Sequence, residues 1–199
     1  YIEDYELIMV NDGSPDNSWK IMKELAAKDK KIKLIKLSRN YGAIEAVFTG
    51  MKYSSGDCVT DKACDLQEPA SLTLEMFQEW KGGAKSVIAV RESRNDPKVT
   101  KAFAAVYYWL VRKLVIKDMP QGGFDTYLID RKIVDQIITM NDRNSPLTLQ
   151  ILWMGFNPQK VYYERRKREI GKSSWTVSKK LKLFLDSFVG FSYIPIRFM

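Results

Sequence analysis

Short apolar segments alternate with amphipathic segments through the first 90 residues, and this alternation constrains the fold more than any other feature. Three short, mainly apolar segments, as buried strands are, cover residues 6–10, 33–37 and 86–90, and a weaker candidate strand starts at residues 58–60 and ends near residue 65. Three segments between them have helical periodicity, at residues 18–28, 41–53 and 71–82. Strands that alternate with helices form parallel sheets with right-handed crossovers. We therefore predict an α/β fold whose first four strands are parallel.

The second half of the chain has a less regular pattern. It predicts helices over residues 101–117, 131–139 and 146–154, and strands over residues 126–129 and 160–164. A basic segment, Arg165–Arg168, follows the last of these strands. Residues 176–199 are amphipathic, with lysines set against leucine and phenylalanine. We predict one domain over residues 1–175 and a separate amphipathic segment over residues 176–199.

The amino-acid composition limits the partners and the catalytic groups that the chain can use. The chain carries a net charge of +8, which favours a polyanionic partner such as nucleic acid, anionic lipid or a phosphorylated substrate. It contains no histidine, which excludes histidine bases, Ser-His-Asp triads and histidine-ligated metals. No apolar run reaches the roughly 18 residues expected of a membrane-spanning helix.

Polar clusters follow three of the predicted strands. They are residues 10–16, 38–42 and 64–69. In open parallel sheets, ligands bind at the carboxyl ends of the strands. The sequence Asn-Asp-Gly-Ser at residues 11–14 is an ordinary turn when taken alone. Three clusters at successive strand ends instead indicate a ligand site at that edge of the sheet.

Seven segments in order resemble those of family 2 glycosyltransferases with the GT-A fold. They read VNDGSPDNS, LSRNYG, CDLQEP, GGFDTYLIDRK, ILWMGF, KREIGKSSWT and SFVGFSYIPIR. The resemblance covers nearly the whole chain and is greatest to the branch of dolichyl-phosphate mannose synthases and bacterial polyprenyl-phosphate glucosyltransferases. It implies a Rossmann-like mixed sheet flanked by helices. It also implies that the family's first strand precedes Tyr1, and that membrane-spanning helices follow Met199.

The resemblance further implies a reaction. A sugar would pass from a nucleotide diphosphate sugar to a polyprenyl phosphate, such as undecaprenyl phosphate, with inversion, at the cytoplasmic face of the cell membrane. The bacterial character of the motifs favours uracil over guanine as the base. Residues 176–199 would then be a juxtamembrane segment on the membrane surface. The sugar and the oligomeric state stay open, with a homo-oligomer among the outcomes.

By the same resemblance, Asp12, Ser14 and Arg39 bind the donor nucleotide. Asp65 is the catalytic carboxylate that holds Mg²⁺ or Mn²⁺ on the diphosphate, and Gln67 is its second protein ligand. Such a site is acceptable for Mg²⁺, which binds through one or two carboxylates together with substrate phosphates.

The family's DxD motif is altered in this chain. It reads Ala63-Cys64-Asp65, so only the second carboxylate is present, and Asp61 lies four residues earlier, out of register. This departure weakens the predicted metal site more than the predicted donor site.

The resemblance assigns the acceptor side to Arg131, Arg168, Lys172 and Ser173. A phosphate monoester has a second pKa of about 6, so the attacking oxygen is ionised at neutral pH and the reaction needs cations more than a strong base. Asp125 is the remaining catalytic candidate, as a base, a ligand of the sugar hydroxyls or a turn-stabilising carboxylate, and sugar positioning is favoured. Alternatively, the arginines are solvated surface charges, or the basic segment only faces the membrane.

The sequence leaves three other functions open. A nucleic-acid-binding domain would account for the charge and the aromatic residues but for none of the strand-end motifs. A non-catalytic nucleotide-sugar-binding module would account for the altered DxD motif. An enzyme of the same fold that acts on a polysaccharide or a protein would account for the motifs, but it leaves the basic segment and the amphipathic tail unexplained.

Overall fold

The computed structural model describes residues 4–92, 98–166 and 177–191. Its strands are β1 (Leu7–Asn11), β2 (Ile32–Lys36), β3 (Cys58–Thr60), β4 (Ser86–Arg91), β5 (Phe124–Asp130) and β6 (Gln159–Tyr163). Its helices are α1 (Ser18–Lys28), α2 (Ala43–Lys52), α3 (Ala70–Lys81), α4 (Lys98–Leu114), α5 (Arg131–Met140), α6 (Leu147–Trp153) and α7 (Val177–Phe191). Each predicted element is present, with bounds shifted by a few residues. The third strand is the exception, because it ends at Thr60 and the chain then turns.

The strands form two sheets. β1 and β2 are parallel, whereas the second sheet has the order β3-β5-β4-β6. Within it, β4 and β6 are parallel, and β5 runs antiparallel to both β3 and β4. The prediction of one parallel sheet from the first four strands is therefore wrong, because these strands are divided between two sheets and the antiparallel strand β5 separates β3 from β4. The apolar stretch Thr126–Ile129 is buried throughout, as expected of a central strand.

Helices cover both faces of the four-stranded sheet. Alternate residues of a strand point to opposite faces, and β4 illustrates this. Ile88 and Val90 join a cluster with residues of α2, α4, α5 and α6, whereas Val87 and Ala89 join a second cluster with Leu72 and others on α3. This packing fixes the direction of β4 and β5, and hence the position of the residues at their ends.

Helix α7 packs on the domain through one face. Ser187 is buried and its hydroxyl lies 3.0 Å from the hydroxyl of Tyr107 on α4, while Phe188 contacts the main cluster. Leu185 and Val189 point outward, with 51% and 68% of their surface exposed. Across the described ranges, no helix has both the length and the apolar character needed to cross a bilayer.

Candidate active site

The ends of β4 and β6 and the start of β5 meet at one edge of the larger sheet. Arg91, the last residue of β4, pairs in register with Tyr163 near the end of β6. The preceding residue, Val90, pairs with Phe124 at the start of β5. Because β5 is antiparallel, its first residues lie beside the last residues of β4. Residues just beyond these points are thereby brought together, although they are far apart in the chain.

Five polar side chains from this edge form what we call the charged cluster: Arg91, Asp125, Arg165, Asp65 and Gln67. Arg91 donates through Nη2 to Asp125 Oδ2. Arg165 Nη1 lies 3.9 Å from the same oxygen, and Arg165 Nη2 lies 3.8 Å from Asp65 Oδ2. Nη2 of Arg165 also donates to Gln67 Oε1 at 2.6 Å. One guanidinium therefore contacts three of the residues predicted for catalysis and metal binding.

The turn that carries Asp65 and Gln67 is fixed by backbone hydrogen bonds. The Gln67 N–H donates to Asp65 Oδ1 at 3.2 Å. The Arg166 N–H donates to the Gln67 carbonyl at 2.9 Å, and Gln67 Nε2 donates to the Arg166 carbonyl at 3.2 Å. Leu66 between them has φ +56°, a left-handed conformation that costs an L-residue energy and is often found at functional sites.

Asp65 and Gln67 suit a hard divalent cation. Asp65 Oδ2 and Gln67 Oε1 converge on the same guanidinium nitrogen, so both oxygens face one position for a positive charge. Carboxylate and amide oxygens are ligands that Mg²⁺ accepts. In the part of the chain that the structure describes, no three acidic, cysteine or histidine side chains form a metal site. A metal held by Asp65 and Gln67 would therefore need phosphate oxygens or water to complete its coordination.

Two further carboxyl groups lie beside this turn. Burial, and then the charge of Glu68, raise the pKa of Asp61 to about 7. Glu68 accepts a hydrogen bond from Thr126 and lies 3.9 Å from the Lys62 ammonium. Within the described residues, Asp61 Oδ1 and Glu68 Oε2 are closed to solvent and make no hydrogen bond. Asp61 is therefore largely protonated below neutral pH when no cation lies beside it.

The predicted nucleotide-binding residues form a second group, at the ends of β1 and β2. Asp12 accepts the N–H groups of Tyr41 and Gly42 at 2.7 and 2.8 Å. The Arg39 guanidinium lies 4.2 Å from the centre of the Tyr41 ring. Ser14 is exposed. The structure thus brings Asp12, Ser14 and Arg39 into neighbouring loops.

Gly13 explains how closely these two loops approach. Its φ is +67°, and a Cβ at this position would lie 2.6 Å from the backbone carbon of Arg39 and the backbone nitrogen of Asn40. Only glycine fits such a contact in this conformation. The Asn-Asp-Gly-Ser sequence is therefore more than a turn, because it is where the β1 loop packs on the β2 loop.

Arg131 lies away from both groups. Its guanidinium donates to the Gly56 carbonyl at 2.9 and 2.6 Å and to the Ser54 hydroxyl at 3.0 Å. It begins α5, directly after β5, whereas Asp125 is near the start of β5. Strand residues advance about 3.3 Å each, so the two lie about 20 Å apart. This position does not support an acceptor-binding role for Arg131. The other predicted acceptor residues, Arg168, Lys172 and Ser173, lie outside the described residues.

Two members of the charged cluster, Arg91 and Arg165, lie outside the sequence motifs that mark the site. Arg91 directly follows an apolar strand, and a polar residue at that place could have been added to the other strand-end residues. Arg165 belongs to the basic segment that follows β6. It is the first residue of that segment and therefore the nearest to the sheet, which is the signal that distinguishes it.

Comparison with known proteins decides the family. The family model described as Glycosyl transferase family 2 matches residues 1–185. The chain belongs to glycosyl transferase family 2. The family and the GT-A fold inferred from the seven motifs are thereby confirmed, and a nucleic-acid-binding domain is no longer a useful alternative.

Named relatives cover almost all of this chain. It is 36% identical over 196 residues to the uncharacterized glycosyltransferase YkcC of Bacillus subtilis, covering 98% of this chain and 61% of that protein. It is 30% identical over 193 residues to the bactoprenol glucosyl transferase of Shigella phage SfV, covering 96% of this chain and 63% of that protein. The chain thus spans about three fifths of the length of the curated relatives it matches.

Solved structures support the fold. Glucosyl-3-phosphoglycerate synthase from Mycobacterium tuberculosis, crystallised with Mn²⁺, uridine-diphosphate-glucose and phosphoglyceric acid, superimposes with a TM-score of 0.57. The match has 15% sequence identity and covers 92% of this chain and 68% of that one. At this identity the similarity concerns the arrangement of strands and helices alone.

Proposed function

We propose that this family 2 glycosyltransferase transfers a sugar from a UDP-sugar to a polyprenyl phosphate, with inversion, at the cytoplasmic face of the cell membrane. The observation that carries the proposal is the charged cluster, in which Arg165 joins Asp65, Gln67 and Asp125 at the strand edge. The relatives of this chain that are named as bactoprenol glucosyl transferases support the choice of acceptor.

The donor would bind across the two groups of residues. Asp12, Ser14 and Arg39 would contact the nucleotide at the ends of β1 and β2. Asp65 and Gln67 would hold Mg²⁺ or Mn²⁺, which supplies a Lewis acid for the charge that develops on the leaving diphosphate. The solved relative in complex with Mn²⁺ and uridine-diphosphate-glucose supports a metal and a uridine nucleotide in this fold.

The acceptor would approach from the side of Arg91. A phosphate monoester is ionised at neutral pH, so the cluster needs to attract and orient it rather than deprotonate it. Arg91 and Arg165 provide two guanidinium groups for phosphate oxygens. Asp125 is paired with both arginines, and we assign it to orienting the hydroxyl groups of the sugar. From the sequence, Arg168, Lys172 and Ser173 would complete the acceptor side.

The surface of α4 and α7 suits a membrane location. The two helices pack together, and each carries exposed apolar residues: Val106 and Trp109 on α4, Leu185 and Val189 on α7. The Lys113 ammonium lies 5.0 Å from the centre of the Trp109 ring. Apolar residues next to lysines are typical of surfaces that lie in the headgroup layer of anionic membranes. A polyprenyl phosphate would present its charge at that level.

A non-catalytic nucleotide-sugar-binding module is the second candidate, because Ala63 and Cys64 leave the metal motif with one carboxylate. An enzyme of the same fold with another acceptor would share the donor site. Transfer assays separate these possibilities.

The test is transfer of labelled sugar to a short polyprenyl phosphate by the natural gene product, with a panel of nucleotide sugars in Mg²⁺ or Mn²⁺. The proposal predicts a labelled lipid that extracts into organic solvent. The unphosphorylated polyprenol is the matched control, and it should remain unlabelled. Nucleotide-sugar binding without transfer to any acceptor would favour the binding module instead. Binding can be checked by thermal shift, because a ligand of the folded state raises its apparent stability.

A further inference from the structure

We propose that Arg165 is a positioning residue that occupies the metal-donor set until the donor binds. The bound diphosphate and its divalent cation would then displace the guanidinium from Asp65 and Gln67 onto the phosphate oxygens. This inference rests on the proposed function, because it assumes that Asp65 and Gln67 hold the metal of a nucleotide diphosphate.

The first observation is that the guanidinium and a metal would compete for the same two oxygens. Arg165 Nη2 lies 2.6 Å from Gln67 Oε1 and 3.8 Å from Asp65 Oδ2. A magnesium ion bound to these oxygens would lie about 2.1 Å from each. It would stand within a few ångströms of Nη2, where two positive charges repel strongly in a partly buried site. The metal and this position of Arg165 therefore exclude each other.

The second observation is that the guanidinium is incompletely satisfied where it lies. Arg165 Nε is closed to solvent and has no hydrogen-bond partner among the described residues. The contacts of Nη1 with Asp125 and of Nη2 with Asp65 are 3.9 and 3.8 Å, longer than hydrogen bonds. A diphosphate offers oxygens that pair with a guanidinium in a bidentate manner. Moving to the diphosphate would therefore satisfy donors that the present arrangement leaves unpaired.

The third observation is that the backbone beside the metal-donor turn is held by contacts that do not involve the Arg165 side chain. The paired hydrogen bonds between Gln67 and Arg166 hold the chain beside the metal-donor turn. Arg165 also helps to line an open cleft of about 390 Å³, together with Pro69, Glu75 and Tyr162. Rotation of the Arg165 side chain away from Asp65 would therefore leave this backbone contact intact.

The consequence is an order of binding. With Arg165 in place, the charge of Asp65 is already compensated, so a free divalent cation binds weakly. Asp65 and Gln67 would hold the metal once the nucleotide diphosphate is bound, because its negative charge would attract the Arg165 guanidinium away from them. Arg165 would thus couple metal binding to donor binding.

The test measures Mn²⁺ binding by electron paramagnetic resonance in the natural gene product, first without nucleotide and then with UDP. Arg165→Met keeps much of the side-chain length and removes the charge. We expect it to bind Mn²⁺ about tenfold more tightly than the native protein without nucleotide, because the Arg165 guanidinium no longer competes for Asp65 and Gln67. With UDP present, we expect Arg165→Met to bind Mn²⁺ about tenfold more weakly than the native protein does, because the diphosphate loses its guanidinium partner.

Arg166→Met is the matched control. It removes the same charge one residue away, from an exposed side chain, and should not produce these opposite changes. Arg165→Lys retains the charge and should keep donor-free Mn²⁺ binding weak. If Arg165→Met does not fold, Arg165→Gln provides the same comparison.

Two outcomes overturn the inference. The first is that Arg165→Met leaves the Mn²⁺ affinity without nucleotide unchanged, or weakens Mn²⁺ binding both with and without UDP. Arg165 would then only support the structure. If the native protein binds neither UDP nor Mn²⁺ with UDP, the proposed function fails together with the inference. The first outcome leaves donor binding by the native protein intact, so the two failures are distinguishable.

Discussion

Asp12 accepts the backbone N–H of Gly42 through Oδ2 at 2.8 Å, so the loop after β1 is hydrogen-bonded to the N-terminal end of α2. Its other oxygen accepts the N–H of Tyr41 at 2.7 Å. A carboxylate at a helix N-terminus satisfies N–H groups that lack partners within the helix and interacts favourably with the helix dipole. The residue predicted to contact the nucleotide therefore also shapes the loop that would receive it.

This arrangement predicts that Asp12→Ala destabilises the protein as well as weakening nucleotide binding. Two hydrogen bonds to a charged acceptor are lost, and we expect the free energy of unfolding to fall by about 1–3 kcal/mol. Urea denaturation measures the change, and Asp12→Asn, which keeps one acceptor oxygen, should lose less. Unchanged stability in Asp12→Ala would show that these bonds contribute little.

Asp65→Ala should abolish sugar transfer and leave the fold intact, because Asp65 would be the carboxylate that holds the metal. Ala63→Asp should be tolerated, since Ala63 is exposed and the change restores the commoner motif. Transfer assays with and without a chelator, together with circular dichroism, measure both effects. Full activity of Asp65→Ala, or equal activity of the native protein in excess chelator, would remove the metal role assigned to this residue.

The raised pKa of Asp61 predicts that the free energy of unfolding decreases as pH rises. Burial and the neighbouring Glu68 raise its pKa from 3.8 to about 7. Between these pH values the native state keeps the proton and the unfolded state has lost it, so stability falls as pH rises through this window and stays low above it. Asp61→Asn should remove this fall, because its amide carries no charge and can donate to Glu68.

We expect Asp61→Asn to be more stable than the native protein by about 4 kcal/mol above pH 7, and close to it near pH 4. Urea denaturation across this pH range measures the difference. Parallel pH profiles for the two proteins would contradict the raised pKa.

Arg131→Ala should reduce stability while leaving nucleotide binding unchanged. The guanidinium bonds the Gly56 carbonyl and the Ser54 hydroxyl, and losing these contacts should lower the free energy of unfolding by about 1–2 kcal/mol. Urea denaturation and calorimetric titration with UDP separate the two effects. A loss of sugar transfer in a variant of native stability would restore the acceptor role predicted from the sequence.

The exposed faces of α4 and α7 predict binding to anionic membranes. Each lysine or arginine near such a surface contributes roughly 1 kcal/mol, and the attraction weakens as salt increases. Flotation of residues 1–199 with liposomes containing phosphatidylglycerol should be strong at low salt and weak at high salt, and Leu185→Ser with Val189→Ser should reduce it. Failure to float at low salt would rule out this surface.

The same assay separates anchoring from acceptor binding. In the natural gene product, we expect Arg168→Ala with Lys172→Ala to associate with the liposomes as the native protein does, and to transfer no sugar. Loss of both properties would show that these residues mainly attach the protein to the membrane.

Local patterns in the sequence determined the element types and the groups of polar residues at strand ends. Residues 87–90 are continuously apolar, which is enough to predict the buried strand β4, and Gly13 with its polar neighbours is enough to predict a turn. The ordered motifs then indicated the family. These features depend on residues close together in the chain, so the sequence alone reveals them.

Pairing between distant segments was decided by the tertiary structure. The sequence does not show that β5 inserts antiparallel between β3 and β4, because its apolar residues fit a central strand of either direction. That one placement brings Asp125 to Arg91 and carries Arg131 to the other end of the sheet. Likewise, Arg165 reaches Gln67 across 98 residues only because β6 lies beside β4. Contacts of this kind follow from packing of the whole core, which no local pattern encodes.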